Sequence, residues 1–406
     1  VTGVQTCALP IYLFMLALLI IDAFSIAYQR CVAPTSLAPP VPNATLLQVQ
    51  VLIRHGSRAP GSDYFNSGET QEWICDSDEA HVPRVYSAPV KHPRDYLEII
   101  DKRSVQYKPN CRPKDLLVSG MQQHYELGRE YRKRYVDELK VLPENYDPKH
   151  IYVRASELDR TVRSAMSFMQ GMYKPVNGNE VIDLVTDNDA AGIMHPSENW
   201  CNEIKNIVND LTDVPQFKEY FDEFSAKFKT DYEKVAGSWN AKKVKKLCSY
   251  IIMADCTNHT LPANISDDFI GECQNLVNYY QFMQNDNDKY RGVASSPLLR
   301  EMIRIADDLI GMINDYKFVL LSSHDTAIAA ILSTLGYEYH NQPAIQVRSH
   351  LDFELWYLNN AIYGRFVFNG KVLKLPFLSE ELFLYANLKI QLMKLGYLSH
   401  CMAPEI

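Results

Sequence analysis

The chain has 406 residues, 47% of them hydrophobic and 22% charged, with a formal net charge of −8. That balance fits a globular protein built as one large domain, or as one domain carrying an insertion. It argues against a nucleic-acid binder, which needs a basic face, but leaves room for a few arginines around one anion.

Tyr12 to Ile21 (YLFMLALLII) is an apolar run closed by Asp22. It is too short to cross a bilayer comfortably and suits the core of a secretory signal, with Ser25-Ile26-Ala27 as a cleavage point. Residues 1–27 are therefore expected to be a signal-like segment, an uncleaved anchor being the alternative. No Lys, Arg or Met precedes the run, so the first dozen residues are expected to be foreign to the natural protein or to belong to a fragment. Residues 28–406 would form the folded domain.

Residues 31–42, rich in Pro and Ala, should enter extended. Leu46 to Ile53 (LLQVQVLI) has the length and composition of a buried strand, ending abruptly in a polar loop at Gly56. Residues 61–115 hold five prolines from Pro83 to Pro113 and read as a long loop, pinned by Cys75 and Cys111. Gly120 to Tyr135 reads as a helix with an apolar stripe of Met121, Tyr125, Leu127 and Tyr131 or Tyr135, and basic residues near its end. His150 to Val153 is a second strand. Ser156 and Asp159 resemble a capping box opening a helix through Met172.

Residues 200–310 show a mostly helical pattern. Phe318 to Leu321 is a third buried strand, followed by a helix from Asp325 to Leu335. Leu351 to Tyr357 and Arg365 to Val372 alternate like a hairpin, with Asn369-Gly370 as a turn. Strands followed by helices predict an α/β fold with a central, mostly parallel sheet flanked by helices. Residues 185–295 would be a mainly helical cap inserted into it.

The chemistry concentrates at two strand ends. Arg54-His55-Gly56-Ser57-Arg58-Ala59-Pro60 sets a histidine between two arginines on a tight loop. Guanidinium forks match tetrahedral oxyanions, Gly56 permits close approach, and a neutral imidazole can attack phosphorus once its charge is offset. Ser323-His324-Asp325-Thr326 places a histidine beside a carboxyl group, again between strand and helix. Arg160 adds a charge at a helix N-terminus, itself an anion site. Taken singly, the first motif could be a surface turn, and the second a core histidine beside a capping carboxylate; both together at strand ends disfavour those readings.

Eight cysteines remain beyond residue 27, with no CxxC pair, which suits disulfides in an oxidising compartment better than a zinc ribbon. Three sequons, at Asn43, Asn258 and Asn264, agree with the secretory pathway and are the candidate glycosylation sites.

These motifs resemble the histidine acid phosphatases, the branch of the histidine phosphatase superfamily that includes the prostatic and lysosomal acid phosphatases. RHGSRAP and SHDT are joined by GMQQHYELG, IYVRASELDRTVRSAM and CTNHTLP in the same order, so the likeness spans roughly Leu46 to Cys401. It implies a phosphoglycerate mutase-like fold and hydrolysis of phosphate monoesters in acid. His55 would be the nucleophile that is phosphorylated, and Arg54, Arg58, Arg160 and His324 would hold the phosphate. Asp325 would protonate the leaving alcohol and then assist water. Arginines supply the charge compensation, so neither metal nor cofactor is expected.

The likeness also implies a Cys201–Cys401 disulfide. Ser349 stands where many members carry a cysteine, which leaves Cys273 as the substitute partner of Cys256. The segment 61–115 is longer than in the prostatic type, as in a relative that removes phosphate from xylose, and this leaves the substrate undecided. A small phosphate monoester, a phosphoprotein, and more specifically a sugar or inositol phosphate all remain, as does a homodimer. The competing functions are a mutase-like phosphotransferase, which secretion disfavours, and a non-catalytic secreted binding protein on the same scaffold.

Several residues receive structural readings. Arg154 is expected in an ion pair, His124 as a satisfied, partly buried histidine, and Glu157 and Asp159 as helix caps. The lysines 242, 243, 245 and 246 should form a solvated helix face. Asp76, Asp78 and Glu79 are read as a loop charge cluster, since they lack calcium-loop spacing.

Overall fold

A computed structural model describes residues 31–61, 72–77, 110–174, 181–187, 192–197, 201–210, 214–261, 265–283, 285, 290–337 and 345–398. The signal-like segment 1–27, most of the 61–115 loop including Asp78 and Glu79, Asn264 and Cys401 lie outside them.

In chain order, β1 (Thr45–Arg54) precedes α1 (Val118–Arg132), which continues as a π turn, Lys133–Glu138. Next come β2 (Ile151–Ala155), α2 (Asp159–Met172) and β3 (Val185–Thr186). Helices α3 (Asn202–Asp210), α4 (Pro215–Ala236), α5 (Val244–Cys256) and α6 (Asp267–Met283) follow in the region expected to form the cap. The chain then returns through α7 (Ser296–Ile310), β4 (Phe318–Ser323) and α8 (Asp325–Thr334). It closes with β5 (His350–Leu358), β6 (Ala361–Phe368), β7 (Lys371–Val372), β8 (Phe383–Leu384) and α9 (Tyr385–Lys394).

The sheet order is β3-β2-β4-β1-β5-β6-β7, with β8 on β6. Strands β3, β2, β4 and β1 are parallel, and β5 joins β1 antiparallel to begin the other half. Both faces are covered, which is why the central strands read as continuous apolar runs. On β1, Leu52 packs with α7, α8 and α9 on one face, while Val49, Val51 and Ile53 pack with α1 and α2 on the other. Helices α1 and α2 meet backbone to backbone. A Cβ on Gly128 would lie 2.0 Å from the Phe168 carbonyl oxygen, and one on Gly171 would lie 2.0 Å from that of Tyr125.

Helices α4, α5 and α6 share a separate core built on Phe224, Phe228, Leu247, Ile251, Phe269 and Leu276. Among the described residues no helix is long and apolar enough to cross a membrane.

Three disulfides are described: Cys75–Cys111, as the loop reading expected, with Cys31–Cys256 and Cys248–Cys273. Disulfides of this number fit the secretory pathway. The expected Cys256–Cys273 pair is therefore corrected. Cys248 and Cys273 are fully buried in the α4–α6 core and face each other across the α5–α6 pair. Cys256, at the end of α5, takes Cys31 from the entry segment instead. Cys201 is disulfide-bonded.

Asn369-Gly370 is a turn as expected, though it follows the hairpin's second strand and does not join its two strands. Asn359 and Asn360, with φ of 49° and 61°, connect β5 to β6, while Asn369-Gly370 turns β6 into β7. Asparagine is the non-glycine residue best suited to two successive left-handed positions.

Candidate active site

The three motif loops leave the same edge of the sheet. Arg54 pairs in register with Ser323 across β1 and β4, and Ala155 with Ser322 across β2 and β4. The carboxyl ends of three adjacent parallel strands thus deliver Arg54-His55, His324-Asp325 and the N-terminus of α2 to one crevice, where open α/β sheets bind ligands.

His55 is 3% exposed, and its backbone N–H donates to the Ser323 carbonyl at 3.1 Å. Its Nδ1 lies 2.8 Å from the Gly56 carbonyl oxygen. That oxygen can only accept, so Nδ1 carries the proton and Nε2 keeps its lone pair. Burial, then the charges of Arg160, Arg54 and Arg58, hold the imidazole well below its usual pKa. Burial and the three guanidinium charges therefore favour the neutral ring.

The loop beyond His55 is pinned to α1 and α2. A Cβ on Gly56 would sit 2.4 Å from the Gly120 carbonyl oxygen, so only glycine fits this approach. Gly56 N–H donates to Ser164 Oγ at 3.2 Å, and Ser57 exchanges hydrogen bonds of 3.0 and 2.9 Å with the Gln123 side chain. Arg58 pairs by a backbone bridge with Leu116, and its guanidinium donates to the Ala59 carbonyl at 3.0 Å.

His324 is the N-cap of α8 and is 6% exposed. Its Nε2 lies 2.9 Å from Ser156 Oγ, and its Nδ1 lies 3.5 Å from Arg160 Nη2. Arginine only donates, so Nδ1 accepts and Nε2 carries the proton. Ser156 Oγ in turn lies 2.7 Å from Thr161 Oγ1. Burial first, then Arg160 and His195, keep His324 neutral as well. The His55 and His324 rings stand 5.7 Å apart, edge to face.

Asp325 opens α8, accepts the Thr326 N–H at 2.9 Å and pairs with Arg54 Nη2 at 2.9 Å. Burial pushes its carboxyl up, but Arg54, His324, Arg58 and Lys245 together outweigh it and hold the pKa below the usual carboxylate value. The Nε atoms of Arg54 and Arg160 are buried with no hydrogen-bond partner among the described residues. Two buried guanidinium N–H groups without an acceptor in one crevice suit an oxyanion.

All six residues expected to act on phosphate (Arg54, His55, Arg58, Arg160, His324 and Asp325) converge here. Three others were not anticipated. Ser156 was read as a cap, yet α2 starts after Leu158 without a side-chain cap and Ser156 is spent on His324. His195 stacks its ring edge to face with His324 at 5.5 Å, brought in by a bond from Ser323 Oγ to the Met194 carbonyl. Lys245, placed on a solvated face, is half-buried, with Nζ 4.8 Å over the Tyr280 ring.

His124 is fully buried rather than partly, and neither ring nitrogen makes a well-formed hydrogen bond among the described residues. Asp159 pairs with Arg163 at 3.0 Å instead of capping. Arg154 is ion-paired as expected, with Asp187 at 2.5 Å and Glu301 at 3.5 Å. Asn43 and Asn258 stand exposed at turns.

The chain is similar over most of its length to curated relatives. It is 23% identical over 380 residues to counting factor 60 of Dictyostelium discoideum, covering 89% of each chain. It is 20% identical over 345 residues to the human lysophosphatidic acid phosphatase type 6, covering 79% of this chain and 78% of that one. A phytase from D. castellii shares the fold with a TM-score of 0.56 at 15% identity, over 93% of this chain and 87% of that one. The family model of the histidine phosphatase superfamily, branch 2, matches residues 45–369, and the chain belongs to that family.

Proposed function

We propose that this phosphoric monoester hydrolase works through a phosphohistidine on His55. In the first step the Nε2 lone pair attacks phosphorus while the bond to the ester oxygen breaks. Arg54, Arg58 and Arg160 hold the three non-bridging oxygens, and Asp325 gives its proton to the departing alkoxide. In the second step water attacks the phosphohistidine. Asp325 takes the water proton, Nε2 leaves with its electron pair, and inorganic phosphate results. His324 acts by fixing the Arg160 guanidinium and completing the cradle.

The observation that carries this reading is the His55 Nδ1 contact to the Gly56 carbonyl. It commits the proton to the far nitrogen and leaves the nucleophilic one amid three guanidinium groups. The depressed pKa of Asp325 supplies the second element. A phosphate dianion entering the cradle draws the arginine charges to itself, and its own charge raises the Asp325 pKa. The acid is thereby armed by substrate.

Small phosphate esters are the substrate class. A secreted or lysosomal location, with glycans on Asn43 and Asn258, fits the disulfides. Rapid acid-free quenching of the enzyme with radiolabelled phosphate ester should trap label on protein, base-stable and acid-labile as a phosphoramidate is. His55→Ala should carry no label and lose on the order of 10^3-fold or more in phosphate release from p-nitrophenyl phosphate. Full activity in that variant would remove His55 from the mechanism.

A further inference from the structure

Arg58 is aimed through its own neighbour. Its guanidinium donates to the Ala59 carbonyl at 3.0 Å, so the place of Ala59 sets the direction of the fork. Among the described residues, 55–60 form no helix or strand, and Arg58 makes a single bridge to Leu116. The loop therefore depends on what packs against it. Ala59 is fully buried, and its N–H donates to the Asp115 carbonyl at 2.8 Å. It packs in a small core with Trp73, Cys75, Cys111 and Leu117. The Val118 N–H donates to the Ile74 carbonyl and the Leu117 N–H to that of Ser57, both at 2.9 Å. The segment around Trp73 and the phosphate loop thus lie on the same stretch of chain.

The indole of Trp73 has a second contact, from far along the chain. The His259 ring lies 3.6 Å from it, centroid to centroid, at an interplanar angle of 19°. His259 belongs to the turn that follows α5, and local bonds fix that turn. Its N–H donates to the Ala254 carbonyl at 2.8 Å. Its Nδ1 lies 2.7 Å from Thr257 Oγ1, whose own proton goes to the Met253 carbonyl at 2.7 Å. Nδ1 is therefore the donor, and the bond holds the ring plane where the indole meets it.

The same turn is tied to the sheet. Cys256, which ends α5, is bonded to Cys31 of the entry segment. That segment lies along the other flank of the phosphate loop: the Ala33 N–H donates to the Val347 carbonyl at 3.0 Å, and the Arg54 N–H to that of Ser349 at 2.8 Å. His259 is thereby held in the frame of the strands that deliver the cradle. From it a line of contacts runs through Trp73 and Ala59 to the Arg58 guanidinium.

We propose that Trp73 and His259 are positioning residues for hydrolysis: their stack fixes Ala59 and so aims the Arg58 guanidinium at the phosphate oxygens. The inference rests on the phosphatase reading above. It adds that a turn from the helical region, far along the chain, sets the geometry of the cradle. Neither ring touches phosphate. Both act through Arg58, where a displacement of about 1 Å is enough to slow the reaction severely.

The test uses the full chain and p-nitrophenyl phosphate. Trp73 is 1% exposed and its replacement threatens the fold, so the half-buried His259 carries the experiment. His259→Ala should lower kcat/KM about tenfold. It should raise the inhibition constant of inorganic phosphate in parallel, since product and substrate share the cradle. His259→Phe keeps a flat ring against the indole and should stay within about twofold of the parent. In an Arg58→Lys background no fork remains to be aimed, and His259→Ala should then cost at most about twofold. Unchanged kcat/KM and phosphate inhibition in His259→Ala, with only the unfolding temperature lowered, would reduce the stack to packing and overturn the proposal. Equal damage in His259→Ala and His259→Phe would overturn it as well, as would an undiminished cost beside Arg58→Lys. A parent that releases no phosphate overturns the phosphatase reading instead.

Discussion

Arg54 and Asp325 form a 2.9 Å ion pair inside the cradle, between the residue that ends β1 and the residue that opens α8. In the proposed mechanism one guanidinium serves two anions in turn, Asp325 before substrate binds and phosphate after it. It follows that a dianion must bring protons onto the protein. Sulfate is a useful probe because it takes up no proton itself in this range. Calorimetry of sulfate binding at pH 5, in two buffers of different ionisation enthalpy, should show net proton uptake approaching one. Asp325→Asn should lose the larger part of it, with His55 accounting for the remainder. Equal uptake in the two proteins would place the proton elsewhere.

The same carboxyl group predicts a leaving-group signature. An alkoxide needs a proton to depart, whereas p-nitrophenolate hardly does. Asp325→Asn should therefore cost about 10^2–10^4-fold in kcat on an alkyl phosphate and far less on p-nitrophenyl phosphate. Equal losses on both would mean that Asp325 positions Arg54 and does not transfer the proton.

The parts of this site that the sequence discloses are those fixed by strand ends. β1 and β4 are covered on both faces, so Leu46–Ile53 and Phe318–Leu321 stand out as apolar runs, and the polar residues that follow them are conspicuous. What stays hidden depends on docking. A serine three residues before an acid reads as a cap, and only the register of β2 against β4 reveals that Ser156 faces His324. Lys245 belongs to a run of lysines that reads as a solvated face, and only the docking of α6 sets its Nζ over the Tyr280 ring. Cys31 finds Cys256 across 225 residues, a separation at which composition gives no guidance.

Ser156 offers a way to separate positioning from contact. Its hydroxyl receives the His324 Nε2–H, and the other ring nitrogen accepts from Arg160. Ser156→Ala leaves a buried N–H without a partner, at a cost of about 1–3 kcal/mol, and lets the ring turn. Arg160 would lose its rest. We expect kcat to fall by roughly tenfold, with KM changed little, and Ser156→Thr to restore part of the loss because it returns the acceptor. A change confined to thermal stability, with kcat intact, would reduce Ser156 to a structural hydroxyl.

Acid should weaken the fold even while it suits the chemistry. His124 and His350 are fully buried, and burial lowers their pKa to about 3 and about 4 respectively. An unfolded histidine titrates near the ordinary 6.5, so between that value and the folded pKa the unfolded chain binds the proton that the folded chain refuses. The contribution to stability is whole above pH 6.5 and is lost as pH falls, at about 1.4 kcal/mol per unit for each ring. Asp352 acts oppositely: burial raises its pKa well above the usual value, so it favours the folded state as pH falls from that raised value toward 3.8. The total slope is thus a balance, and the clean measurement is a difference. His124→Leu removes one ring without adding a charge. Urea unfolding of parent and variant at pH 6.5 and pH 5.0 should show the parent losing about 2 kcal/mol more than the variant over that interval. Identical losses would mean that His124 is protonated, or finds a polar partner, in the folded protein.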